Sequence, residues 1–165
     1  MQTYLTWYDR LGRMAVSQNA KQRGTASFSY TTYDSLGRTN EVGEVSSAAG
    51  ISDNISRTPD RLKNSLNNIA SSKREITRTN YDVAAPFMLP GQLAGRNLRG
   101  HVSWTALYNT AASLNNGPHS AATFYTYDVH GNVDTLVQEY VLGRAGDGDH
   151  VFKKTAYNYD LSAER

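Results

Sequence analysis

The chain has no cysteine. That absence removes a disulfide framework, a thiolate metal site and a cysteine nucleophile. No apolar run approaches the roughly 20 residues of a membrane span. Residues 1–4 lack the basic start and apolar core of a secretory leader, so no signal peptide is read in this segment. Charge is scarce too: 19% of residues are charged, and a net charge of +2 is too small to argue for nucleic acid or an anionic membrane as partner. No Gly-x-Ser-x-Gly stretch presents a serine nucleophile. Gly143-Arg144-Ala145-Gly146 lacks the Gly-Lys-(Ser/Thr) ending of a phosphate loop. The histidines at 101, 119, 130 and 150 have no metal-ligand spacing, and His130 reads as a solvated turn residue. Asp147-Gly148-Asp149 offers oxygens but not the remaining ligands of a calcium loop, and reads as a turn. The expectation is a chain with no cofactor, no metal and no catalytic residues.

What is present is repetition. Tyr-Asp-x-x-Gly-(Arg/Asn) stands three times: Tyr8, Asp9, Gly12, Arg13; Tyr33, Asp34, Gly37, Arg38; and Tyr127, Asp128, Gly131, Asn132. Two further pairs, Tyr81-Asp82 and Tyr159-Asp160, lack the glycine at that spacing. With 11 Tyr in the chain, chance gives roughly 0.7 Tyr-Asp steps, so the five copies demand a repeat. Asp at the first and Gly at the fourth position suit a type I turn. The carboxylate can accept backbone N–H groups two residues on, and Gly takes a left-handed conformation freely. A type I turn followed by left-handed Gly is a common hairpin connection, and Tyr before it suits a half-buried strand. Each motif therefore predicts strand–turn–strand. An acid/base role for the Tyr-Asp pairs is disfavoured, because repetition marks a structural unit and adjacent strand residues face opposite ways.

The strands expected from this pattern span 2–8, 13–18, 26–33, 38–45, 75–81, 101–109, 121–127, 132–141 and 151–159. Residues 19–24 read as a polar loop, 46–56 as a loose loop, 110–120 as a turn-rich loop and 143–150 as a glycine-rich loop. Thr58 followed by Pro59 starts a helix, and Leu62, Leu66 and Ile69 form one stripe. One short helical insertion over 59–71 follows, lying across a sheet edge or capping an open end. Residues 83–100 form a long connection whose apolar members, Phe87, Met88, Leu89, Leu93 and Leu98, predict packing on the sheet. The whole of 1–165 reads as a single region: hairpin repeats over 1–45 and 121–165, and degenerate, insertion-bearing repeats over 46–120. The last residues resemble a repeat cut mid-hairpin, which points to a segment of a longer chain.

These motifs resemble the YD-repeat, or RHS-repeat, family. The Tyr-x-Tyr-Asp forms at 125–128 and 157–160 carry the same resemblance. Residues 97–103 and 131–137 resemble very large YD-repeat proteins of the Bacteroidetes type. The resemblance implies a mainly β fold, with antiparallel hairpins side by side in a curved strip that forms part of a hollow β-shell. It implies a non-enzymatic structural segment that encloses or scaffolds a toxin or other cargo of a larger secreted or cell-surface bacterial protein. Its partners would be neighbouring YD repeats or other subunits, and an enclosed toxin polypeptide. Many bacterial members also carry an Asp-Pro autoproteolysis core; this chain has no Asp-Pro pair, so that activity is not carried over. The competing expectation is a surface binding module, with Trp7, Trp104 and the strand tyrosines contacting carbohydrate or a partner protein.

Overall fold

The computed structural model describes residues 4–47, 50–86, 93–116, 118–142 and 149–159. Among these, nine strands are joined in one antiparallel sheet whose order follows the chain: β1 (Leu5–Tyr8), β2 (Met14–Gln18), β3 (Ser27–Tyr33), β4 (Thr39–Ser46), β5 (Arg74–Tyr81), β6 (Val102–Thr110), β7 (Ala121–Tyr127), β8 (Val133–Leu142) and β9 (Asp149–Ala156). The mainly β, hairpin-built expectation holds. The residues fall into two compact units, 1–78 with 107–119, and 79–106 with 120–165.

In the first unit, β3 pairs with β4 over its full length, from Ser27 opposite Ser46 to Tyr33 opposite Thr39. One face of these strands turns inward and buries Val16, Phe28, Tyr30 and Val45. Helix α3 (Pro59–Asn68) closes that core with the predicted stripe: Leu66 is buried, and Leu62 and Ile69 pack against it together with Trp7. The helix thus packs on the hydrophobic core. Truncating Leu66 to Ala would remove roughly 3 kcal/mol. Pro59 sits at the first turn as expected, but the Thr58 side chain makes no capping hydrogen bond.

Gly43 lies opposite Tyr30, and a Cβ there would meet the Tyr30 ring at 3.0 Å and the Arg74 carbonyl at 3.2 Å. The register of β4 on β5 shifts between Val42 and Glu44, beside this close approach.

Three expected loops contain helices instead. Residues 19–24 form α1 (Ala20–Gly24), started by a capping box in which the Asn19 side chain accepts from the Gln22 N–H at 2.9 Å and the Gln22 side chain accepts from the Asn19 N–H at 3.0 Å. The loop over 46–56 ends in α2 (Asp53–Arg57), where the Ser56 hydroxyl donates to the carbonyls of Tyr8 and Asp53. The loop over 110–120 opens with α4 (Ala111–Asn116), tied by reciprocal bonds between Thr110 and Ser113. The expectation of a single helical insertion is therefore corrected to four α-helices among the described residues, plus a 3-10 turn over Ala70–Ser72.

In the second unit, β7 and β8 pair from Ala121 opposite Tyr140 to Tyr127 opposite Val133. β8 then pairs with β9 from Thr135 opposite Ala156 to Leu142 opposite Asp149. Alternate residues Ala122, Phe124 and Thr126 are buried, with Val137 across from Phe124. Leu98, near the end of the 83–100 connection, is also buried, as its composition predicted. Phe87, Met88 and Leu89 lie outside the described residues, as do Asp147, Gly148 and most of the glycine-rich loop.

Candidate functional site

The three complete motifs build one turn, bond for bond. At Asp9, the N–H donates to the Arg13 carbonyl at 2.8 Å and the carbonyl accepts from the Gly12 N–H at 3.1 Å. Oδ1 accepts the N–H groups of Leu11 (2.8 Å) and Arg13 (2.9 Å), and Oδ2 accepts Arg13 Nε at 2.8 Å. Asp34 repeats this with Gly37, Leu36 and Arg38, and Asp128 with Gly131, His130 and Asn132. Gly12, Gly37 and Gly131 hold φ of +76°, +82° and +87°. Each register shifts by one residue at the motif Tyr, the bulge that a left-handed Gly produces.

The carboxylates are consumed by this geometry. Burial pulls Asp9 upward, but the Arg13 N–H and guanidinium and the Leu11 N–H outweigh it and hold the acid below its ordinary range. Asp34 behaves alike, burial being outweighed by Arg38 and Leu36. The Asn132 side chain is the largest influence on Asp128 and also lowers it. A carboxylate held ionised by four or so donors is a poor general base, which fits a structural role.

The fourth motif is completed by a glycine that the sequence spacing hid. The Asp82 N–H donates to the His101 carbonyl at 3.2 Å, and Asp82 Oδ1 accepts the Gly100 N–H at 2.6 Å. Gly100 has φ +81°. Gly100 and His101 thus stand where Gly12 and Arg13 stand, with residues 83–99 inserted between Asp and Gly. Asp82 itself adopts φ +68°, which lets the chain leave the turn. The inserted segment returns to its own unit: the Tyr127 N–H donates to the Arg96 carbonyl at 3.1 Å, Asn97 Nδ2 donates to the Tyr127 carbonyl at 2.9 Å, and Arg96 pairs with Asp134 at 2.6 Å.

The motif tyrosines join one hairpin to the hairpin before it. The Tyr33 hydroxyl donates to the Met14 carbonyl at 2.8 Å, Tyr127 to Val102 at 2.8 Å, and Tyr159 to Val133 at 3.0 Å. In every case the acceptor lies two residues after the preceding motif Gly. The residue between them covers the ring: Arg13 lies 4.0 Å over Tyr33, and His101 stacks on Tyr127 at 4.3 Å. The same residue approaches the next motif Gly, with Arg13 Nη1 3.2 Å from a Cβ at Gly37 and His101 Cε1 3.3 Å from one at Gly131. Tyr, Gly and the residue after Gly therefore form a repeated clasp. Of the remaining predicted residues, Tyr81 ends β5, Tyr159 is clasped, and Asp160 lies outside the described residues.

The first unit also holds a groove of about 820 Å³, bordered by the Asp9 and Asp34 turns, by Leu62 and Leu66 of α3, and by Glu41. Glu41 is 8% exposed and is held by the Tyr30 hydroxyl (2.8 Å), Lys73 Nζ (2.7 Å) and Arg78 Nε (3.0 Å). Burial pulls Glu41 upward, but Lys73, Tyr30 and Arg78 outweigh it and lower its pKa. Burial, then the neighbouring carboxylate, pushes the Tyr30 phenol far up. Neither group is poised to exchange a proton near neutrality. Sequence reasoning missed this network; the only signal was an acidic residue inside an expected strand, between Asn40 and Val42.

The rings offered for carbohydrate are unequal. Trp104 is 7% exposed, and Trp7 packs edge-on against Phe28 at 5.9 Å. Among the described residues, no group of three or more His, Asp or Glu side chains is arranged to hold a metal ion, and no helix is long and apolar enough to cross a membrane. Compared with known proteins, the chain matches no family model and no curated sequence.

Proposed function

We propose that this chain is a non-enzymatic structural segment of a YD-repeat shell. That shell encloses or scaffolds a toxin or other cargo polypeptide of a larger secreted or cell-surface bacterial protein. The observation that carries the reading is the clasp: one hairpin's Tyr repeatedly closes on the preceding hairpin's Gly-x-carbonyl, a joint that has no fixed number of copies. The polar atoms of the motif are spent on backbone geometry, which leaves them to build a wall and not to react. Electron microscopy of the native polypeptide that carries this segment is expected to show a hollow particle. A bead without a lumen would sink the shell.

A second reading keeps a surface binding module for carbohydrate or a partner protein. It moves away from buried Trp104 to Tyr157 and Tyr159, which stack at 6.3 Å and are 44% and 42% exposed. Glycan-array binding that disappears in a Tyr157→Ala, Tyr159→Ala double variant would favour it over the wall.

A further inference from the structure

The groove beside Glu41 carries more positive charge than its own carboxylates use. Tyr30 lies opposite Gly43 and Thr32 opposite Glu41, and Glu41 lies in turn opposite Arg78. Tyr30, Thr32, Glu41 and Arg78 therefore share one face of the sheet. Leu66 of α3, with Leu62 beside it, packs on the apolar part of that face, where Phe28, Tyr30 and Val45 are buried. The groove opens over the polar part, bordered by the helix and by the Asp9 and Asp34 turns. Its floor lies on β3, β4 and β5, inside the sheet and not on an edge strand.

Among the described residues three carboxylates border the groove, and each is matched. Asp9 pairs with Arg13, Asp34 with Arg38, and Glu41 with both Lys73 and Arg78. Glu41 thus holds two cations with one charge. Arg78 reaches it through Nε, and its side chain stays 43% exposed. Arg10, at the corner of the first turn, and Lys63, on α3, also line the groove. Both are exposed, and among the described residues neither has a carboxylate partner. Positive charge is therefore left over on both walls and on the floor. Apolar side chains stand beside it: Leu11 and Leu36 are exposed at the turn corners, and Leu62 is only partly buried.

We propose that this groove binds an amphiphilic organic anion, an apolar body that carries one carboxylate, sulfonate or phosphate. The unmatched charge of Arg10, Lys63 and Arg78 attracts the anionic group, and the body lies along Leu11, Leu36 and Leu62. At about 820 Å³ the groove is far larger than a bare inorganic anion and falls in the range that holds a drug-sized ligand. The site is independent of the shell, since every residue it uses belongs to the first unit.

The test titrates the full 165-residue chain with octanoate, octanol, octylammonium and acetate, followed by backbone amide NMR. Octanoate is expected to give saturable shifts at Arg10, Leu36, Leu62 and Lys63, with an affinity that falls as salt rises. Octanol, which lacks the charge, and acetate, which lacks the body, should each bind at least about five-fold more weakly. An Arg10→Gln, Lys63→Gln double variant should bind octanoate about five-fold more weakly. Its urea midpoint should match the parent's, because both side chains are exposed. Leu36→Ser should weaken octanoate and leave acetate unchanged. Octanol or octylammonium binding as tightly as octanoate overturns the proposal, and so does octanoate binding that is indifferent to the double variant. Shifts confined to residues outside the groove, or no saturation at millimolar octanoate, overturn it too. Binding seen only with phosphatidylglycerol vesicles would assign these cations to a membrane surface and would overturn the groove.

Discussion

The hairpins closed by Asp128 and by Asp82 share the bond from the Asp N–H to the carbonyl of the residue after the Gly, and differ in what lies between. In the first, two residues separate Asp from its left-handed Gly; in the second, residues 83–99 do. Lengthening a flexible closure by that much costs only about 2 kcal/mol of chain entropy. The inserted segment offsets part of this through Arg96, Asn97 and buried Leu98. The comparison separates the essential parts of the motif from the dispensable ones. Asp, the positive-φ Gly and the residue after it make the joint; the two residues at the corner are a spacer. Their side chains agree, since Leu11, Leu36 and Val129 are 66%, 74% and 85% exposed.

The strongest way to break the comparison is at the glycines. Gly131→Val places a β-branched residue at φ +87° against His101 and should cost roughly 2–3 kcal/mol, read as a lower urea midpoint. Gly12→Val and Gly100→Val meet strain without a neighbour and should each cost about 1–2 kcal/mol. If Gly100→Val melts like the parent, Gly100 is an ordinary loop residue and the split turn is a misreading. Next come the clasps. Tyr33→Phe and Tyr127→Phe should each cost about 1 kcal/mol, by the same urea measurement, and equal losses would make the compact and split joints equivalent.

Replacing residues 83–99 by Ser-Leu should leave the β5–β6 hairpin formed, with stability within about 1 kcal/mol of the parent as loop entropy and lost contacts oppose each other. Faster hydrogen exchange at the Tyr127 amide is expected there, since its acceptor, the Arg96 carbonyl, is gone. The smallest effect is acid sensitivity of the compact turns. Asp9, Asp34 and Asp128 are held below their ordinary 3.8. Their contribution to stability is complete above that value and is lost as pH falls through the folded pKa values. A carboxyl NMR titration should show all three titrating below pH 3.8. Any one titrating above it would show that its turn hydrogen bonds are not maintained in solution.

What could be read in advance tracks how local the cause is. The Asp-x-x-Gly turns, the Pro59 helix and the alternation of Phe28 and Tyr30 are set by residues within one or two turns of chain, and they were legible. The capping box Asn19-x-x-Gln22 is equally local, but its short helix lies among polar residues and carries no apolar stripe to announce it. Gly100 was illegible because its partner Asp82 is brought to it by strand pairing and not by spacing. The same holds for Glu41, whose burial follows from three donors on β3, the 3-10 turn's C-cap and β5. α2 and α4 are too short to hold by propensity, and they owe their existence to tertiary partners such as the Tyr8 carbonyl and, for the start of α4, the Lys73 carbonyl.

The order of the sheet, each strand beside its neighbour in sequence, also decides when the protein can fold as it is made. A nascent chain emerging from the ribosome can close each compact hairpin and clasp it to the last before the next is translated. The Asp82 turn must wait for Gly100, and in the first unit core closure waits too, Tyr8 for Ser56, and Phe28 and Val45 for Leu66. Growth by addition at one end also sets no upper length, so a ribosome translating a longer run of the motif need never hold more than one unfinished hairpin.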